Sequence, residues 1–148
     1  MNILRKLQEK RIQKRLDEFN KSGMLRYFHY DFGRMRGDRV SYTVKPEGDN
    51  LLLTVQKIDY ARGDSEESEY DIPPIVMQQI KTIIRENYIF VWKGFDKHNS
   101  MVEGDSFSLR AQFDNYNIVA DGASMMPTGF DEANKAICNF FDEMIKGV

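Results

Sequence analysis

The sequence predicts an α+β fold with a mostly antiparallel sheet, and three observations carry that reading. Apolar residues recur with a period of two in residues 25–58 and again in 106–120. Stretches with helical spacing stand at both ends of the chain and near its middle. Clusters of Gly, Pro, Asn and Asp punctuate the rest. Runs of strands interrupted by helices, rather than strict alternation of the two, point to antiparallel sheet with helices packed on one face. At 148 residues, the chain is long enough to bury roughly 68–70% of the surface its unfolded form exposes. No repeat, low-complexity tract or linker divides it, so residues 1–148 are expected to form one domain.

Residues 1–20 read as a basic amphipathic helix, with Leu4, Leu7, Ile12, Leu16 and Phe19 as its apolar positions. Lys6, Lys10 and Lys14 stand four apart and form a ridge, broadened by Arg5, Arg11 and Arg15. Ser22-Gly23 stops the helix. Residues 25–58 form a three-stranded meander, its turns marked by Gly33–Asp38 and by Pro46-Glu47-Gly48-Asp49. In the middle strand Val40, Tyr42 and Val44 alternate with Ser41, Thr43 and Lys45, which predicts one packed face and one wet face.

The polar, acidic run from Arg62 to Glu69 is expected to be an exposed, mobile loop leading into a short edge strand near Tyr70. Pro73-Pro74 opens a second helix over 73–88, with Val76, Ile80, Ile83 and Ile84 on its buried side. The aromatic run Tyr88–Trp92 reads as a short central strand. A polar loop from Asp96 to Gly104 leads to a hairpin of Ser106–Phe113 and Asn117–Ala120 around Asp114-Asn115, so that residues 89–120 supply strand and hairpin. Thr128, with Asp131 three residues on, is expected to cap a last helix over 128–146, whose stripe is Ala133, Ile137, Phe140, Phe141 and Met144.

Function is far less legible. The single cysteine, Cys138, leaves no partner for an internal disulfide and no thiolate set for zinc. The N-terminus, Met1-Asn2-Ile3-Leu4-Arg5-Lys6, becomes charged at once, and no window has the length of a membrane span, so the cytosol is the expected compartment. Neither a phosphate loop nor a dinucleotide fingerprint occurs, and no cofactor is implied. Arg62-Gly63-Asp64 matches an integrin-binding tripeptide, but a turn explains it.

A nucleophile needs a base and an orienting group. Of the two histidines, His29 lies inside a strand and His98 in a polar loop, while Cys138 has no basic neighbour on its helix. No residue has the partners that catalysis needs, so no catalytic residue is assigned and a noncatalytic chain is the expectation. The alternative is a metal-assisted or carboxylate-dependent hydrolase using Glu103, Asp105, Asp121 and His98, with Asp96 nearby. Ordinary turn and loop chemistry accounts for the same residues, and the spacing of a calcium loop is missing.

Charge is divided along the chain. Residues 1–39 carry 11 Lys/Arg against 5 Asp/Glu, and residues 40–148 carry 10 against 18. The basic patch Lys6, Lys10, Lys14 and Arg15 therefore offers a second alternative, phosphate or nucleic-acid binding. A sequence pI near 5.7 argues against nucleic acid.

Three motifs in the C-terminal half stand in a suggestive order: Trp92-Lys93-Gly94-Phe95, then Val102-Glu103-Gly104-Asp105-Ser106-Phe107-Ser108-Leu109, then Gly122, Pro127 and Phe130. Over residues 88–146 this resembles a pattern of small uncharacterised bacterial α+β proteins. The resemblance implies no substrate, activity or site residues. The leading expectation is a noncatalytic binding or protein-interaction domain, meeting a protein partner or small ligand around Trp92, Glu103, Asp105, Asp121, Met125, Met126 and Phe130.

Overall fold

A computed structural model describes residues 3–99, 101 and 103–147. The first two residues of the expected N-terminal helix and Val102 of the Gly-Asp-Ser motif lie outside the described residues. In chain order the elements are α1 (Ile3–Asn20), β1 (Leu25–Arg34), β2 (Arg39–Glu47), β3 (Asn50–Asp59), β4 (Asp64–Ile72), α2 (Ile75–Glu86), a 3-10 turn (Ile89–Trp92), β5 (Asp96–His98), β6 (Asp105–Phe113), β7 (Asn117–Ala123) and α3 (Phe130–Lys146). The strands form one sheet in the order β4-β3-β2-β1-β6-β7-β5. Every pairing is antiparallel except β5 with β7. The fold is α+β.

The period of two places the core. On one face Phe28, Tyr30, Tyr42, Val44, Leu53, Val55, Phe107, Leu109, Ala111, Ile118 and Ala120 are buried beneath Phe19 of α1, Val76, Met77, Ile80 and Ile84 of α2, and Ala133, Ile137 and Phe141 of α3. Tyr42 stacks on Phe141 with ring centroids 4.5 Å apart. The Tyr30 hydroxyl, inside this core, donates to Asn134 Oδ1 of α3 at 2.6 Å. Burial pushes the Tyr30 phenol far above its ordinary range, so it stays a donor.

Five sequence expectations are corrected. The acidic run is no loop: Gly63, at φ 66°, makes a tight turn, and Asp64–Ile72 pairs with β3 along its whole length. Acidic side chains have poor strand propensity, but at a sheet edge they also discourage pairing with other chains. Tyr88–Trp92 is not a central strand. Tyr88 adopts a left-handed conformation at φ 57°, and the four residues after it coil into the 3-10 turn. This geometry turns Ile89, Phe90 and Trp92 inward together, which a strand's alternation forbids. The loop after it contains the short strand β5, and α3 is capped by Gly129 at φ 78°, not by Thr128. Lastly, α1 buries only Phe19 and half-buries Leu16 and Arg15, so its first three turns stand clear of the core.

Among the described residues, no helix is long and apolar enough to cross a membrane.

Candidate functional site

Because every helix packs on one face, the alternate residues of the same strands line a face that no helix covers. Pairing brings Thr43 of β2, His29 of β1 and Arg110 of β6 into one row, and Ser41, Asp31, Ser108 and Asp121 of β7 into the next. All are half-buried, by one another rather than by a second layer.

Two arginines organise this centre. Arg39 pairs with Asp31 and donates to Ser106 Oγ at 2.6 Å. Its side chain crosses directly over Gly33, where a Cβ would come within 2.6 Å of Arg39 Cγ and 2.4 Å of the Asp38 carbonyl oxygen. Glycine there makes room for the arginine to reach across β1. On the other side of the row Arg110 pairs with Asp121 at 3.1 Å and donates to the carbonyls of Leu109 and Ala120. Between the pairs, His29 Nδ1 shares a 2.8 Å hydrogen bond with Thr43 Oγ1. Burial holds the imidazole pKa below its ordinary value of 6.5; Asp31 opposes that shift and Arg110 adds to it. The centre is thus nearly neutral, with its donors and acceptors fixed in position by pairing.

Beside it, at the end of the sheet where β1 meets β2 and β3 meets β4, a cleft of about 720 Å3 is lined by Gly33, Arg39, Ile58, Arg62, Glu66 and Asp105, among others. Arg39 and Gly33 belong to both features.

The residues named from sequence do not converge. Trp92 is 2% exposed and Phe130 5%, stacked on each other at 5.7 Å and meeting the Phe107 ring at 5.4 and 5.0 Å. Both are core residues, and neither offers a surface to a partner. Met126 packs against the same core, and of these four apolar residues Met125, at 42%, is the exposed one. Among the carboxylates, Glu103 makes an exposed pair with Arg36 at 3.6 Å, and Asp121 is held by Arg110. Asp105 lies three residues from Ser108, the partner of Asp121, about 10 Å along β6, where it lines the cleft with Arg39 and a smaller hollow with Glu103.

Asp96 holds His98 Nε2 at 2.6 Å in solvent. Among the described residues, no three of His, Cys, Asp and Glu gather as a metal site requires. Cys138 is half-buried, and burial, then Asp142, raises its thiol pKa, which opposes nucleophilic use. In the basic patch, Arg15 is committed to the fold: it donates to the carbonyls of Val91 and Lys93, each at 2.9 Å. Lys6, Lys10 and Lys14 remain in solvent.

The wet faces of β2 and of the hairpin are legible strand by strand in the sequence, but the centre built from Asp31, Arg39, His29 and Arg110 is not. Its signal, polar residues alternating with buried ones, is present as His29 and Asp31 in β1, Ser41 and Thr43 in β2, and Ser108 and Arg110 in β6. Nothing local says that β1 lies between β2 and β6. No family model matches the chain, and none of the curated proteins compared with it does.

Proposed function

We propose that the chain is a noncatalytic protein-binding domain whose partner docks on the helix-free face of the sheet. The observation that carries this reading is the ordered polar centre itself. Arg39, Asp31, His29, Arg110 and Asp121 are held by mutual pairing on a face that the chain leaves uncovered. Such preorganised groups bind without a further ordering cost. Seven strands span about 29 Å and nine residues of strand about 30 Å, a footprint comparable with the roughly 800 Å2 per partner of a standard interface. A broad face whose ions are already paired suits a protein surface better than a small ligand, which favours a concave, apolar site. Near neutrality at the centre makes hydrogen-bond pattern, rather than net charge, the source of specificity there.

The test places a photo-crosslinking amino acid at Ser41 or Ser108 on this face, and at Lys135 or Asn139 on the exposed side of α3, in extracts of the source cells. Adducts of one mass are expected from the first two positions only. An excess of unlabelled wild-type protein should suppress them, and an excess of Ser108→Arg should not. Equal labelling from α3, or none from the sheet face, would overturn the reading.

A further inference from the structure

The helix α1 has two apolar sides. At about 100° per residue, Ile12, Leu16 and Phe19 fall on one side, which leads into the core, while Ile3 and Leu7 fall on the side roughly opposite. Lys10 and Lys14 continue that side one and two turns further along the helix. Ile3 is 74% exposed and Leu7 46%, and among the described residues neither Lys10 nor Lys14 has an ion-pair partner. Its own core cannot use this basic and apolar stripe.

A matching surface lies elsewhere on the same chain. On the helix-free face, Glu67, Glu69 and Asp71 of β4 stand opposite Gln56, Thr54 and Leu52 of β3, with Ile58 37% exposed at the end of the row. Glu67 and Glu69 have no cationic partner among the described residues. Alternate residues of a strand repeat every 6.6–6.8 Å or so, and residues four apart on a helix about every 6 Å, so lysines and carboxylates stand in near register. Within one molecule the two surfaces stay apart. Phe19 and Arg15 pin α1 on the covered face, beside Phe90 and Phe113, whereas Glu67 and Glu69 face the opposite side, at the far edge of the sheet.

We propose that α1 of one copy lies across the β3–β4 end of the helix-free face of a second copy, Lys14 meeting Glu69 and Lys10 meeting Glu67 while Ile3 and Leu7 cover Ile58. The contact joins unlike surfaces that face opposite ways, so it is head-to-tail: the dimer is its first product, and further copies can add to it. The exposed acidic edge, which repels another copy of itself, becomes the seat of a basic helix. The centre around Asp31 and Arg110 remains open, whereas the β3–β4 end is shared with the partner footprint, so the contact between copies narrows that footprint without occupying its centre. Photo-crosslinking from Ser108 therefore continues in a monomeric variant.

Sedimentation velocity at about 0.02 M and about 0.5 M salt tests the proposal, because screening shortens the reach of exposed charges. Wild-type protein should dimerise at low salt and dissociate at high salt. Lys10→Glu/Lys14→Glu and Glu67→Lys/Glu69→Lys should each weaken dimerisation by about tenfold or more, through like-charge contact. An equimolar mixture of the two should recover a dimer, since each reversed surface then meets its complement. Should a reversed variant fail to show the wild-type circular dichroism, Lys10→Gln/Lys14→Gln gives the same reading of the contact. Wild-type protein that stays monomeric at low salt, variants that dimerise as it does, or a mixture that stays monomeric would each overturn the proposal.

Discussion

On the covered face of the sheet Phe28, Tyr30, Leu109 and Ala111 are at most 1% exposed and sit beneath helices. One residue along the same strands, His29, Asp31, Ser108 and Arg110 are half-buried only by one another. The backbone ladder is shared, so the difference lies in what stands above each face. Apolar side chains need a second layer to leave water, whereas paired polar ones satisfy each other at the surface and leave room for a visitor. The two faces should therefore answer substitution differently, stability reporting one and binding the other.

The largest contrast comes from Trp92→Ala. It empties a site against Phe107 and Phe130 and should cost about 3–5 kcal/mol in urea unfolding followed by circular dichroism. A loss under 1 kcal/mol would mean that this cluster is not part of the core. On the open face, Gly33→Ala tests whether Arg39 must cross the strand there. The added methyl group meets Arg39 Cγ and the Asp38 carbonyl, and a cost of about 1–3 kcal/mol is expected. In the double variant with Arg39→Ala the side-chain part of that clash should vanish, leaving a smaller increment.

Acidification sharpens the comparison at His29. Its folded pKa lies below 6.5 because burial disfavours the imidazolium, so the unfolded chain takes up the proton more readily. This contribution is complete above pH 6.5 and is lost as pH falls through the window below it. His29→Gln, which retains a partner for Thr43, should flatten the decline in stability between neutral and mildly acidic pH; an unchanged slope would assign the decline to other groups. The smallest effect belongs to Ser108→Ala, at most about 0.5 kcal/mol on stability. The same site changed to arginine should abolish competition for the partner.

Several elements could be read locally because one physical rule governed them. In β6 the alternation of Phe107, Leu109 and Ala111 with Ser106, Ser108 and Arg110 identifies both a strand and its two faces. The acidic strand β4 was illegible because its propensity favours a loop, and only the ladder to β3 overrides it. The run Ile89–Trp92 misled for the converse reason: a short, wholly apolar segment suits a central strand and a buried turn equally well. Trp92 and Phe130 looked like anchors for a ligand because large aromatics favour interfaces as well as cores, and burial alone separates the two.

Composition and periodicity by themselves determined the α+β class, the meander, the hairpin and the apolar stripes of α2 and α3, since each depends on spacing along a few neighbouring residues. Tertiary structure alone decided that β1 lies between β2 and β6, that the helices gather on one face, and that α1 has a second apolar side with nothing of its own core against it. The polar centre belongs to that second group. His29, Asp31, Arg39, Arg110 and Asp121 are scattered over more than ninety positions of the chain, and strand order, a long-range property that no local pattern encodes, is what makes them neighbours.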